Sequence, residues 1–372
     1  MKTELLSKEV ISRLQQIVGP SFLFLDEETR NNYGRDETED YVFPPGVVLK
    51  PASAEEISAI LKLANEYKIP VTPIGGKTGL SGGALSIHQG IGLSMERFNK
   101  ILHIDEQNLQ VMVEPGVVTQ TLQEAVLEKG LFYPPDPSSR GSCFIGGNVA
   151  ENAGGARAVK YGVTKDYVLN LEVVLPTGEI VWTGANTLKN STGYNLTQLM
   201  VGSEGTLGVI TKIVMKLLPK NAHNVLMLVP FFNSSQACEA VAQIFKAGIT
   251  PSALEFMERD AIDWTLRFID GVSLNIKDEV EAHLLIEVDG NYPDVLFSEA
   301  EKITEVLEQF AIDEILFADS EDQKNALWKL RRAVAEAVKS NSVYKEEDTV
   351  VPRYELDRKS TRLNSSHQII SY

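Results

Sequence analysis

Three glycine-rich stretches constrain this chain more than any other feature. The first is Pro73-Ile74-Gly75-Gly76-Lys77-Thr78-Gly79-Leu80-Ser81-Gly82-Gly83, with five glycines between Gly75 and Gly83. Glycine lacks Cβ, so such a segment reaches φ > 0 without penalty and can turn successive backbone N–H groups onto one anion. Two familiar phosphate loops do not fit. Gly76-Lys77-Thr78 has the end of a P-loop, but Val71 stands where that motif needs its first glycine, and the G-x-G-x-x-G spacing of a Rossmann fingerprint is absent. The second stretch runs from Tyr133-Pro134-Pro135-Asp136-Pro137 through Ser138-Ser139-Arg140-Gly141-Ser142-Cys143-Phe144 to Ile145-Gly146-Gly147-Asn148 and on to Asn152-Ala153-Gly154-Gly155. Its prolines fix the approach, and its small residues let backbone lie close to a ligand. The third, Gly202-Ser203-Glu204-Gly205-Thr206-Leu207-Gly208-Val209-Ile210-Thr211, reads as a turn entering a buried strand.

The segments around these stretches predict an α/β chain of two or three domains. Val47–Leu49 and Val71–Ile74 are short strands flanking a helix that opens on the capping-box pattern Ser53-Ala54-Glu55-Glu56 and carries Ile57, Ile60, Leu61 and Ala64 on one face, a βαβ-like opening. From about residue 101 paired strands take over: 101–104 with 110–113, then 171–175 with 179–182 around Pro176-Thr177-Gly178. Helices are expected over 119–129, 235–247, 293–309 and 320–340, and strands over 207–217 and 283–288. Near the N-terminus Leu6, Val10, Leu14 and Ile17 mark an amphipathic helix, and no apolar run there suits a signal peptide or a membrane span.

The net charge of −16 argues against nucleic acid or an anionic membrane surface as the main partner, although a pocket with local positive charge would still take a small anion. Cys143 and Cys238 form no disulfide framework, and none of the five histidines sits at metal-ligand spacing, so no metal site is assigned. We read the chain as cytoplasmic.

Taken together and in this order, the three stretches resemble the FAD-binding domain of the vanillyl-alcohol-oxidase (PCMH-type) superfamily, in the branch of glycolate oxidase catalytic subunits, D-lactate dehydrogenases and D-2-hydroxyglutarate dehydrogenases. The resemblance covers about residues 20–358 and is strongest over 43–220. It implies an α+β architecture: a PCMH-type FAD-binding domain of two α/β subdomains, followed by an incomplete α/β cap domain of the FAD-linked oxidase C-terminal type. The expected boundaries are an N-terminal helical segment 1–42, the FAD domain 43–221, the cap 222–358 and a foreign, Ser/Asn-rich tail 359–372. It places Pro73, Gly75, Gly76, Lys77, Thr78, Gly79, Leu80, Ser81, Gly82 and Gly83 on the FAD pyrophosphate. Pro135, Asp136, Ser139, Gly141, Ser142, Gly146, Gly147, Asn148, Asn152, Gly154, Gly155, Tyr161 and Gly162 would line the dinucleotide and flavin, with Glu204, Gly205, Leu207 and Ile210 on the adenosine side. The first loop has no histidine to tether the flavin, which implies non-covalent FAD.

The same resemblance implies oxidation of a D-2-hydroxy acid, D-lactate or glycolate in type, to the 2-oxo acid by hydride transfer to flavin N5. Trp328-Lys329-Leu330-Arg331-Arg332 resembles the family's W-x-x-R segment and puts Arg331, with Arg332 as the alternative, on the substrate carboxylate, where bidentate geometry favours arginine. The family's divalent-metal ligands, for an ion such as zinc, and its catalytic histidine would lie beyond about residue 370, so this chain alone is expected to bind FAD but turn over weakly or not at all. The electron acceptor is unspecified, and a homodimer or partner oxidase subunits are the expected assembly. Two other readings stand beside this one: a different oxidoreductase or synthase on the same FAD domain, and a non-catalytic flavin-binding subunit of an oxidase complex.

Overall fold

The computed structural model describes residues 6–38, 41–342, 350, 352 and 369–371. The expected foreign tail falls outside the described residues except for 369–371. The chain divides into two compact units, Met1–Gly154 with Val163–Lys220, and Gly155–Gly162 with Asn221–Tyr372.

The first unit begins with α1 (Lys8–Val18), β1 (Leu23–Phe24), α2 (Glu27–Asn32), β2 (Val47–Leu49), α3 (Ala54–Tyr67), β3 (Val71–Ile74) and β4 (Ile91–Ser94). These strands form one sheet in the order β1-β2-β4-β3, with β4 parallel to both neighbours and β1 antiparallel to β2. The βαβ crossover therefore spans β4. Helix α3 starts where the sequence says it should. The Ser53 hydroxyl accepts from the Glu56 N–H at 3.1 Å, and the Glu56 carboxylate reaches back to the Ala52 N–H at 2.8 Å, satisfying two donors the first turn would leave open. Its apolar face, Ile57, Ile60, Leu61 and Ala64, is buried with Val10 and Leu14 of α1 against Val47, Leu49, Ile91 and Leu93.

The chain continues through β5 (Ile101–Asp105), β6 (Gln110–Val113), α4 (Thr119–Leu127), β7 (Leu131–Phe132) and α5 (Ile145–Glu151). It crosses to the second unit for α6 (Ala158–Tyr161), then returns with β8 (Val168–Val174), β9 (Ile180–Trp182), α7 (Leu196–Met200), β10 (Val209–Lys216) and β11 (Leu218–Pro219). An antiparallel sheet has the order β5-β6-β10-β8-β9, with β10 at its centre, and β7 pairs with β11 alone. Helices α5 and α6 lie within the glycine-rich stretch 134–162, for which the sequence predicts no element. Glycine is a poor helix former. Here α5 is held by tertiary contact: the Ile145 N–H donates to Val117 O at 2.9 Å and the Gly146 N–H to Pro115 O at 2.7 Å.

The second unit contains β12 (His223–Phe231), α8 (Ser234–Lys246), β13 (Ala253–Glu258), α9 (Arg259–Phe268), β14 (Ala282–Gly290), α10 (Pro293–Leu307), β15 (Leu316–Phe317), α11 (Glu321–Asn341) and β16 (Ile369–Ser371). The strands form an antiparallel sheet, β15-β12-β14-β13-β16. Successive strand side chains point to opposite faces. Ala282, Leu284, Ile286 and Val288 of β14 pack in one apolar cluster with α8 and α10, while Leu285 packs in a second cluster with Leu327, Trp328, Leu330 and Val334 of α11 and Ala261 and Ile262 of α9. On that second face the alternation also places His283, Glu287 and Asp289, all buried. Strands β12 and β13 and helix α9 were absent from the sequence reading.

His283 is 1% exposed, and its Nδ1 has no hydrogen-bond partner among the described residues. Burial, reinforced by the charge of Arg259, pulls its pKa down from 6.5 to about 4, against the opposing pull of Asp263. A depressed histidine leaves the folded state with fewer bound protons than the unfolded chain across that window, so the stability it preserves above 6.5 is lost as pH falls toward about 4. Between about pH 7 and about pH 4.5, urea denaturation followed by tryptophan fluorescence should reveal a loss on the order of 2 kcal/mol, which His283→Leu removes.

Candidate cofactor site

The three glycine stretches, far apart in the sequence, meet within the first unit. A Cβ added at Gly75 would lie 3.8 Å from Gly147 Cα, and one at Gly76 would lie 2.6 Å from the Ser142 carbonyl oxygen and 3.1 Å from Cys143 Cα. At Gly76 the first stretch therefore rests directly on the backbone of the second. The third stretch closes on both. A Cβ at Gly205 would stand 3.4 Å from Pro73 Cγ, Glu204 N–H donates to Ala150 O at 3.0 Å, and Gly202 N–H donates to Val149 O at 2.9 Å. Among the described residues, three of the six non-glycine positions with positive φ fall in these stretches: Lys77 at 59°, Asn152 at 53° and Glu204 at 52°. Such conformations cost energy and persist where surrounding structure enforces them, which is typical of binding loops.

Asn152 ends α5 in the left-handed conformation, and its Oδ1 accepts from Lys165 N–H at 2.9 Å. Asn148 is buried and donates to Thr119 Oγ1 at 2.6 Å. The same hydroxyl lies 3.1 Å from Cys143 Sγ, so the thiol is packed into the protein. The Pro135-Asp136 turn is fixed by Gln123 Nε2 donating to Pro135 O at 3.0 Å and by the Arg140–Asp136 ion pair at 3.1 Å. Ser139 O accepts from both Ser142 and Cys143 N–H at 2.8 Å. Beyond Gly79 and Gly147 the space where a Cβ would stand is open to 4 Å, so backbone is presented directly at both positions. Thr78, Ser81 and Gly82 lie in the same loop, with Leu80 at its exposed edge, while Gly141 belongs to the second stretch and Leu207 and Ile210 to the third. Burial, together with the charges of Glu204 and Asp36, pushes the Glu151 carboxyl upward; a Cβ at Gly83 would lie 3.0 Å from that carboxylate.

Some predicted residues fall at or beyond the boundary of the first unit. Gly154 is the last residue before the chain leaves the first unit, and Gly155, Tyr161 and Gly162 belong to the second. There Tyr161 donates to Asp289 Oδ2 at 2.7 Å and accepts from Asn221 Nδ2 at 2.8 Å. Arg331 and Arg332 are also in the second unit, on α11. Arg331 is paired with Glu255, which is fully buried on β13, and the Arg332 guanidinium lies 5.3 Å from the Trp328 ring centroid. One turn before Arg331, Trp328 Nε1 donates to Glu287 at 2.9 Å, and Arg157 binds the other oxygen of Glu287 at 2.8 Å. Lys160 pairs with Asp289 at 2.7 Å. These buried carboxylates went unnoticed in the sequence, although Leu285-Ile286-Glu287-Val288-Asp289 places two acids on one face of a strand.

No group of three or more histidine, cysteine or acidic side chains able to hold a metal exists among the described residues. Nor is any helix among them long and apolar enough to cross a membrane.

Converging glycine backbone beside a helix–sheet framework defines a dinucleotide-binding module, and comparison with known proteins specifies which. Residues 45–184 match the FAD binding domain family and residues 220–365 match the C-terminal domain of FAD linked oxidases. The chain is 42% identical to a D-lactate dehydrogenase of Anaerostipes hadrus, over 92% of this chain and 73% of that protein. It is 39% identical to the glycolate oxidase subunit GlcD of Bacillus subtilis, over 95% and 74%. Among solved structures, alkyldihydroxyacetonephosphate synthase superposes with a TM-score of 0.73 at 21% identity, covering 90% of this chain and 64% of the synthase, a likeness of fold. The chain belongs to the FAD-linked oxidase family, with an FAD-binding domain and a C-terminal domain of FAD linked oxidases.

The glycine cradle predicts a specific sensitivity. Gly76→Ala forces a methyl group onto the Ser142 carbonyl, so the purified variant should retain less than about a tenth of the wild-type FAD, read from absorbance near 450 nm, with secondary structure by circular dichroism unchanged.

Proposed function

We propose that the protein oxidises a D-2-hydroxy acid of the D-lactate or glycolate type to the corresponding 2-oxo acid. The observation that carries this reading is the combination of an intact glycine cradle with relatives named D-lactate dehydrogenase and glycolate oxidase subunit over nine-tenths of the chain. FAD, which the glycine cradle would hold without a covalent tether, would supply the two-electron acceptor for a hydride leaving C2 of the substrate to flavin N5, with the hydroxyl proton passing to a base. The residues fit this cofactor, because Gly79 and Gly147 leave backbone bare where a side chain would fill the cradle. We assign the pyrophosphate to the Gly75–Gly83 loop, the dinucleotide to the Pro135–Gly154 stretch and the adenosine side to Glu204–Ile210.

Arg331 is our choice for the substrate carboxylate. A guanidinium has five N–H donors, so its pairing with Glu255 is compatible with a second anion. Arg332, stacked near Trp328, is the alternative. We place the proton-accepting base, and any divalent metal, in sequence that the relatives have and this chain does not match. The name of the Bacillus subtilis relative also supports assembly with partner oxidase subunits.

The test is anaerobic flavin spectroscopy on the chain, alone and extended to the length of its relatives, with D-lactate, glycolate and D-2-hydroxyglutarate. The extended protein should bleach with at least one of them, and Arg331→Leu should raise the concentration needed for half-bleaching by about a hundredfold or more. A yellow extended protein that no hydroxy acid bleaches would leave a non-catalytic flavin subunit as the better reading.

A further inference from the structure

Lys77 is the one cation inside the first glycine stretch, and its side chain turns back into the protein. Its Nζ donates to the carbonyl of Asn32, the last residue of α2, at 2.8 Å, and lies 5.0 Å from the centroid of the Tyr33 ring. The ring itself is fixed. Tyr33 is buried, and its hydroxyl donates to Glu96 in a short hydrogen bond. Lys50 pairs with the other oxygen of Glu96 at 2.7 Å and lies 5.2 Å from the same ring. Tyr33, Glu96 and Lys50 thus form a closed set that joins the end of α2, the residue after β2 and the turn after β4, and Lys77 is attached to it. Burial alone would raise the Glu96 carboxyl; hydrogen bonds from Lys50 and Tyr33 and the charges of Lys50 and Lys77 outweigh it and hold it below its ordinary value.

The backbone of Lys77 makes the arrangement informative. It stands at φ 59°, a conformation glycine would adopt more cheaply, within a loop that uses glycine freely. A lysine kept at such a position is compensated by what its side chain reaches. The opposite end of the loop gives no such help, because Glu151, Glu204 and Asp36 gather near Gly83. A glycine loop that must stay ordered around a ligand carries a large entropic cost, and one anchored side chain lowers it.

We propose that Lys77 is a positioning residue: anchored on Asn32 and on the Tyr33 ring, which Glu96 and Lys50 hold in place, it presets the first glycine loop for a dinucleotide pyrophosphate rather than acting as a phosphate ligand. The inference rests on the assignment of that loop to the FAD pyrophosphate. It separates from simple charge attraction by sign. Glu96→Gln removes a negative charge near the loop. If Lys77 acted on the phosphates through charge alone, this change would leave FAD binding unchanged or tighten it. If the anchor sets the loop, binding weakens.

The experiment titrates apoprotein of the full chain with FAD, following quenching of flavin fluorescence, and controls folding by thermal denaturation. Glu96→Gln and Lys77→Met should each raise the FAD dissociation constant about fivefold or more, and together should cost less than the product of the two, because both cut one linkage. Tyr33→Phe, which keeps the ring and loses the bond to Glu96, provides a milder variant should Glu96→Gln fold poorly, and it should weaken binding in the same direction. Gly76→Ala separates the two ideas. If it abolishes FAD binding while Glu96→Gln and Tyr33→Phe leave binding unchanged or tighter, the anchor is overturned and the loop assignment stands. If Gly76→Ala binds FAD like the wild type, the loop assignment fails and the anchor proposal falls with it.

Discussion

The first unit depends on a close approach of backbone to backbone. At Gly76 the chain passes so near the Ser142 carbonyl that a Cβ would stand 2.6 Å from it. No side chain larger than hydrogen permits this, and interiors packed at crystal density have little room to yield. The helix α5 begins two residues beyond Cys143, so the approach also fixes where that helix starts. Gly146 within it is pressed against Pro115, where a Cβ would lie 2.5 Å from the proline Cβ. Helical propensity is given up along α5, and backbone accessible to a ligand is gained.

The second unit solves a different problem. A sheet with helices on both faces ordinarily carries apolar residues on both. Here one face of β13 and β14 holds Glu255, Glu287 and Asp289, all buried. Removing a carboxylate from water costs several kcal/mol unless it is paired and hydrogen-bonded. Each has a cation: Arg331 for Glu255, Arg157 for Glu287, Lys160 for Asp289. Trp328 and Arg331 are three residues apart, hence neighbours on one helix face, and they meet Glu287 and Glu255 on adjacent strands. Buried ion pairs are weak evidence for stability, but these link α11 and the Gly155–Gly162 segment directly to the sheet.

How much of this was legible follows from what each signal depends on. The Ser53 cap, the face of α3, the hairpin around Pro176-Thr177-Gly178 and the central strand of the second sheet are local patterns, and the sequence displays them. The glycine stretches announced a ligand site because their composition has no other economical explanation. Their meeting was implied by family resemblance rather than by spacing, since no local rule brings Pro73 beside Gly205. Helix α5 was hidden because Gly146-Gly147 argues against a helix, and only the bonds to Pro115 and Val117 favour it. The Tyr33–Glu96–Lys50 set was equally hidden: its members lie 17 and 46 residues apart along the chain, in segments that look like ordinary polar turns.

Charge ties the units to one chemical problem. A protein with net charge −16 must bind an anionic cofactor and, on our reading, an anionic substrate. Its bulk field opposes both, and at 0.15 M salt that field is screened within about 8 Å. What remains is local. On the same reading, the answer in the first unit is uncharged: backbone dipoles of a glycine cradle, with one lysine anchored at its edge and the carboxylates gathered at the far end of the loop. In the second unit cations are present, but buried acids fix them in place. Pairing an arginine with a buried glutamate does not abolish its use as an anion receptor; it removes rotameric freedom, so less entropy is lost when a carboxylate arrives. Glu255 therefore does for Arg331 what Glu96, through Tyr33, does for Lys77. In both units acidic residues that would repel the ligands at long range serve at short range to hold the cations in place.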